Sequence, residues 1–235
     1  TDTIDWSAYV TERVVSLNAV GATDGFDGAD ASISSGFANI DNLIAPAAVT
    51  TDRLNGPALT TDWLISSSSR LTVNTNSASF ANFERLFGAA GVDRFLVSGA
   101  NNNVSLRGGP GTDSFTFANG ASITGLVDGQ GGSGNTLDFS AYTTPVKVNL
   151  HSKAALGVEP NTSTGMAGIF NIEILTGGAA NDILIGSSSS ETITGNGGDD
   201  IMQGGFGDDT FIFADGWSGA NGDTIIEDAG QGTDT

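Results

Sequence analysis

Gly177-Gly-Ala-Ala-Asn-Asp-Ile-Leu-Ile, Gly186-Ser-Ser-Ser-Ser-Glu-Thr-Ile-Thr, Gly195-Asn-Gly-Gly-Asp-Asp-Ile-Met-Gln and Gly204-Gly-Phe-Gly-Asp-Asp-Thr-Phe-Ile follow one another without a gap. Glycine opens each nine-residue unit, an acid stands sixth (Asp182, Glu191, Asp200, Asp209) and a large apolar residue stands eighth (Leu184, Ile193, Met202, Phe211). Glycines give the backbone access to positive φ and so to tight turns whose carbonyls face inward. The sixth-position carboxylate adds a hard oxygen ligand, and the eighth-position side chain points to a core. Stacked strands lie about 4.8 Å apart and Ca²⁺ takes oxygens at roughly 2.3–2.6 Å. An ion between two stacked turns therefore reaches both.

Other stretches repeat as well. Thr3-Ile-Asp-Trp-Ser-Ala-Tyr9 recurs as Thr136-Leu-Asp-Phe-Ser-Ala-Tyr142, and Val15 and Leu17 recur as Val148 and Leu150 at the same offset. Phe37-Ala-Asn-Ile-Asp-Asn-Leu43, Phe80-Ala-Asn-Phe-Glu-Arg-Leu86 and Ile169-Phe-Asn-Ile-Glu-Ile-Leu175 form a second set. Each is followed by an acid-led strand pattern: Asp52-Arg-Leu54, Asp93-Arg-Phe95 and Asp182-Ile-Leu184. Apolar residues alternate with period two, the signature of strands, and a helical turn is expected only near Ser7–Thr11. One-coil units that bury a continuous core by stacking make a solenoid. The fold class expected is all-β, a parallel β-solenoid of the β-roll or β-helix kind with Gly-Asp turns. It divides into a first copy over residues 1–135 and a second over 136–235, in one continuous solenoid. Asn39, Asn82 and Asn171 are expected to cap turns or to ladder with one another.

The nine-residue block resembles the calcium-binding nonapeptide of the RTX (repeats-in-toxin) family. The resemblance implies Ca²⁺ as cofactor, and it implies that unit n shares its ion with unit n+2. Asp182 should then face Asp200 on one edge and Glu191 should face Asp209 on the other. The first- and third-position residues Gly177, Ala179, Gly195, Gly197, Gly204 and Phe206 would join the ligand set through their backbone. In the second unit Ser187–Ser190 replace the glycines, and Glu191 is longer than Asp. Gly108-Gly-Pro-Gly-Thr-Asp113-Ser-Phe-Thr fits the consensus at every defined position and Gly88-Ala-Ala-Gly-Val-Asp93-Arg-Phe-Leu at four, so Asp113 and Asp93 are further metal candidates, though neither shows an adjacent in-register partner. Residues 129–137 form a weaker relative with Asn135, read as structural, in the acid's place.

Composition fits this reading. The formal charge is −19, with 27 acids against 8 bases, yet 38% of residues are hydrophobic and 13 are Phe. Divalent cations reconcile a packed core with stacked carboxylates. No basic stripe is visible in the sequence, which argues against nucleic acid as a partner. No apolar run approaches the roughly 20 residues of a membrane-spanning helix. There is no cysteine and His151 is the single histidine, which excludes thiolate and multi-histidine zinc sites. No catalytic set is evident. Asp24-Gly-Phe-Asp27-Gly-Ala-Asp30 reads as a solvated acidic loop, with a calcium loop as the alternative. Trp63, either core or surface, and Trp217 are the aromatics considered for glycan binding.

The function expected is a non-enzymatic, calcium-dependent structural module of a secreted bacterial cell-surface protein: an adhesin, surface layer or extracellular filament. The alternatives are the accessory calcium-binding and secretion region of an extracellular enzyme, or a glycan-binding module. The expected partners are calcium, neighbouring copies or adjacent repeats, and surface glycans. Head-to-tail stacking would bring the coil of Ile225 and Ile226 against that of Ile4–Trp6, with Asp223, Glu227, Asp228 and Asp234 near the join.

Overall fold

The computed structural model describes residues 1–100, 102–151, 162–163, 166–213, 222–227 and 232–235. Trp217, Asp228 and most of the segment between His151 and Met166 lie outside the described residues. Among those described there is no helix, and the strands form sheets of eleven, eight and five strands.

Most strands are short and bury their central residue, a direct consequence of period-two alternation. Parallel pairing in register stacks these centres into columns. In the eight-stranded sheet Leu54, Leu86, Leu106, Val127 and Ile169 align. In the eleven-stranded sheet the column is Trp63, Phe95, Phe115, Leu137, Leu175, Ile193 and Phe211. In the five-stranded sheet it is Val148, Leu184, Met202 and Ile225. Aromatic neighbours within a column stack: Trp63 on Phe95 at 5.4 Å between ring centres and Phe95 on Phe115 at 5.1 Å. Trp63 is 1% exposed, which removes it as a surface for glycans. Its indole Nε1 donates to Asp93 Oδ1 at 3.0 Å, so its polar edge is satisfied within the fold.

The coil changes width along the chain. In the first half, stacked partners such as Asp93 and Asp113, or Asp113 and Asn135, stand 20 and 22 residues apart. In the nonapeptide block they stand 18 apart. The junction is one long coil, in which Asn135 and Glu173 stand 38 apart. That coil contributes Thr136–Asp138 to the eleven-stranded sheet, Lys147–Asn149 to the five-stranded sheet and Gly168–Phe170 to the eight-stranded one. The eight-stranded sheet ends on Gly168–Phe170, and the five-stranded sheet takes over with Lys147–Asn149. Only the eleven-stranded sheet runs through both halves, passing from Ser114–Phe117 to Thr136–Asp138 unbroken.

Several expectations are corrected. The turn expected near Ser7–Thr11 is a single hydrogen-bonded turn, shifted one residue earlier: Tyr9 N donates to Trp6 O at 2.8 Å, and Ser7 N donates to Asp5 Oδ1 at 2.7 Å. The second copy repeats both bonds, Tyr142 N to Phe139 O and Ser140 N to Asp138 Oδ1. The Asp24–Asp30 segment is no solvated loop. Phe26–Ala29 is a strand between Val14–Val20 and Phe37–Ile40, antiparallel to both. Phe26 is fully buried there and Asp30 pairs with Arg13 at 3.4 Å, which draws the segment inward. A second antiparallel excursion, Thr61–Ile65, Arg70–Val73 and Asn76–Ala81, interrupts the eleven-stranded sheet. Asn39, Asn82 and Asn171 do not ladder with one another. All three adopt positive φ (57, 62 and 54°), the left-handed conformation that asparagine tolerates, and each bonds a different neighbour.

Phe95 sits between two stacked rings, so Phe95→Ala in calcium-saturated protein should cost about 3–5 kcal/mol in denaturant unfolding. A loss below about 1 kcal/mol would contradict a continuous aromatic column.

Candidate metal centre

Each turn of the nonapeptide block is built in the same way. The opening glycine lies against the carboxylate of the acid five residues later. A Cβ added to Gly195 would stand 2.3 Å from Asp200 Oδ2, and one on Gly204 would stand 2.2 Å from Asp209 Oδ2. Side chains other than hydrogen are therefore excluded by contact. The acid is drawn inward, and Asp182, Asp200 and Asp209 are each 1% exposed.

Stacking joins these acids in two columns. On one edge Asp182 N donates to Asp200 Oδ1 at 2.8 Å, and Asp200 N donates to Asp223 Oδ1 at 2.9 Å. Val146 N, one coil earlier, donates to Asp182 Oδ1 at 2.7 Å. On the other edge Glu191 N donates to Asp209 Oδ1 at 2.7 Å and Asp209 N to Asp234 Oδ1 at 2.9 Å. Asp182 thus stacks on Asp200 and Glu191 on Asp209, each pair one coil apart.

The second column runs far beyond the block. Asp93 N donates to Asp113 Oδ1 at 2.8 Å, Asp113 N to Asn135 Oδ1 at 2.9 Å, and Asn135 N to Glu173 Oε2 at 2.8 Å. Thr192 N, beside Glu191, then donates to Glu173 O. Asp93 and Asp113 therefore do have in-register partners, namely each other and Asn135. Sequence reading missed this because these coils are 20 and 22 residues long rather than two nonapeptides, so no fixed period points to the partner. Glu173 was missed for the same reason: the long coil hides its place in the column. Asn135 holds the position of an acid and transmits the same hydrogen bond.

The oxygen inventory suits a hard cation. Asp113 Oδ2 and Asp209 Oδ2 are buried with no hydrogen-bond partner. Turn carbonyls crowd the facing glycines: Ser187 O lies 2.2 Å from a Cβ built on Gly205, and Gly204 O lies 2.1 Å from one on Gly186. No three carboxylate or imidazole side chains converge among the described residues, so carbonyl oxygens must complete any site. Phe206, one of the backbone candidates, has its side chain in solvent at 51% exposure, as a carbonyl-only contributor can. The Ser-rich second turn is satisfied differently. Ser187 N donates to Glu191 Oε2 and Ser187 Oγ to Glu191 Oε1, so both oxygens of Glu191 already have donors.

Burial raises these carboxyls above the usual range. Asp93 is pushed up to about 7, Asp113 to about 6 and Glu191 to about 7, in each case chiefly by desolvation. Asp182 and Asp209 move in the same direction for the same reason. A bound cation would favour the ionised form instead.

Compared with known families, residues 176–211 match the RTX calcium-binding nonapeptide repeat in four copies. No curated protein matches the chain.

Two outcomes follow. A carboxyl with a raised folded pKa holds its proton in the fold at a pH where the unfolded chain has lost it. Metal-free protein should therefore melt higher as pH falls from about 8 to about 5, and lose that gain as pH rises through about 6–7. A melting temperature that falls on such acidification would contradict burial of these acids. Second, Asp200→Ala should weaken calcium binding more than Glu191→Ala in calorimetric titration, because Ser187 already serves Glu191. Equal losses would count against that assignment.

Proposed function

Since residues 176–211 are RTX calcium-binding nonapeptide repeats, we propose that the chain is a calcium-dependent, non-enzymatic structural rod of a secreted bacterial surface protein, in an adhesin, surface layer or extracellular filament. The observation that carries this reading is the acid column of the eleven-stranded sheet. It runs from Asp93 through Asp113, Asn135, Glu173, Glu191 and Asp209 to Asp234, alongside an unbroken apolar column. Such a column couples coil to coil along the rod, and each ion added at a buried carboxylate would tie two coils together. Metal binding of this kind is folding free energy. RTX repeats are typical of secreted bacterial proteins, and calcium outside the cell would then be the folding signal.

The chemistry elsewhere supports a structural role. His151 sits at the end of Lys147–Asn149, where its backbone N donates to Asn149 Oδ1 at 2.8 Å. A cavity of about 380 Å³ is lined by Ser66, Ser69, Asn82, Glu84, Asn102 and Asn103, with no cysteine, histidine or lysine. Copies or adjacent repeats are the partners that suit the sheet edges. The same amide-to-carboxylate step occurs at both outer ends of the eleven-stranded sheet: Asp2 N to Asp41 Oδ2 at 2.8 Å, and Asp209 N to Asp234 Oδ1 at 2.9 Å.

Far-UV circular dichroism during calcium titration of chelated protein tests the reading. The β signal and the melting temperature should rise together as the ion is added. A β signal and melting temperature that chelation leaves unchanged would overturn it. Sedimentation at saturating calcium tests stacking: association growing with concentration is expected, and a strict monomer would leave covalent arrays only.

A further inference from the structure

Stacking gathers positive charge that is scattered in the sequence. Of the chain's six arginines, Arg53, Arg85 and Arg107 lie on the outward side of the eight-stranded sheet, and Arg13 stands at its margin. Arg85 is directly opposite Arg53, and Arg107 directly opposite Phe87, which in turn is opposite Asn55. A local basic stripe is thus present, contrary to the sequence-based expectation. The arginines come from successive coils and become neighbours only through register.

Like charges set directly opposite on adjacent strands are destabilising. This chain has 27 acids with which to avoid that arrangement, yet few of them meet the stripe. Arg85 reaches Glu12 at 3.8 Å between two well-exposed side chains, a weak contact. Arg107 reaches Asp128 at 3.4 Å. Arg53 makes no ion pair among the described residues. Its guanidinium carbon lies over the Phe87 ring, 3.7 Å from the ring centre, and its Nε donates to Asn55 Oδ1 at 2.5 Å. Arg107 approaches the same ring at 5.2 Å. Phe87 and Asn55 therefore hold the Arg53 guanidinium from one side, while no carboxylate among the described residues pairs with it. Beside the arginines lie the hydroxyl and amide groups of Ser16, Asn55 and Ser105, all part-exposed.

We propose that this sheet face binds a carboxylate-bearing polysaccharide, with Arg53 and Arg85 as paired carboxylate receptors and Phe87 as a positioning residue. A planar guanidinium fork matches a planar carboxylate through two parallel hydrogen bonds. The two arginines stand opposite each other on adjacent strands, about 4.8 Å apart at the backbone, and Asn55 Nδ2, which donates to Ser16 Oγ at 2.9 Å, sets an amide and a hydroxyl beside them for sugar hydroxyls. Charge complementarity decides the occupant. A net charge of −19 disfavours a polymer as densely charged as nucleic acid, whereas an acidic glycan carries charge sparsely enough for a local stripe to hold it.

The test uses the calcium-loaded full chain and trigalacturonate in calorimetric titration, with maltotriose as the neutral control. Trigalacturonate should bind in a salt-sensitive manner and maltotriose should not. The double variant R53Q/R85Q should weaken trigalacturonate by at least about tenfold, with calcium-dependent melting unchanged. Arg53→Lys should recover only part of that loss, because a point charge lacks the fork. Binding that persists in R53Q/R85Q would overturn the proposal and place the glycan on bound calcium instead. Absence of trigalacturonate binding would overturn it too. Tighter arginine-dependent binding of a sulfated trisaccharide or an oligonucleotide would replace the carboxylate class. Self-association abolished by Arg85→Gln, with no glycan binding, would assign the face to a second copy of the chain.

Discussion

A carboxylate buried between two stacked turns receives a hydrogen bond from the backbone amide of the coil before it. This step joins Asp93 to Asp113, Asn135 to Glu173, Glu191 to Asp209 and Asp209 to Asp234, with the Asn135 amide oxygen and a backbone bond from Thr192 N to Glu173 O carrying the column between them. It fixes register, because sliding the coil by one residue would separate each amide from its acceptor and turn the apolar column outward. It also concentrates negative charge in a setting that disfavours the ionised form. A single neutral donor leaves the second oxygen of Asp113 and of Asp209 without a partner. A divalent ion would answer both demands at once, at the place where the opening glycine, the turn carbonyls and the buried acid meet.

The change of coil width explains how one column serves two kinds of turn. The narrow coils are two nonapeptides each, so acids occur on both edges, Asp182 and Asp200 on one and Glu191 and Asp209 on the other. The wide coils present an acid to the continuing sheet once per turn, at Asp93 and Asp113. The long coil between them resets the second sheet while preserving the first. At this junction Asn135 and Glu173 take the place of aspartates: an amide oxygen or a longer carboxylate still accepts the amide hydrogen, so hydrogen bonding continues where the nonapeptide pattern lapses.

Much of this is legible in the sequence, because a repeat with a fixed period carries its own register. The glycine, acid and apolar positions of 177–212 directly imply turn, column and core, and the pairings of Asp182 with Asp200 and Glu191 with Asp209 follow from period alone. Reading fails where partners are separated by irregular lengths. The links from Asp113 to Asn135 and from Asn135 to Glu173 span 22 and 38 residues, so no fixed period points from one to the next. The Arg53, Arg85 and Arg107 stripe exists only after stacking. Asp24–Asp30 looks polar because local composition does not reveal that Phe26 is buried between two antiparallel strands, or that Arg13 waits for Asp30.

Amide hydrogen exchange resolved along the chain tests the central claim most directly, since the amides of Asp93, Asp113, Glu191 and Asp209 are themselves the donors that join the coils. With calcium, these amides should be strongly protected, and chelation should release protection at Glu191 and Asp209 together as one cooperative unit. Protection at those amides that is the same with and without calcium would contradict the account.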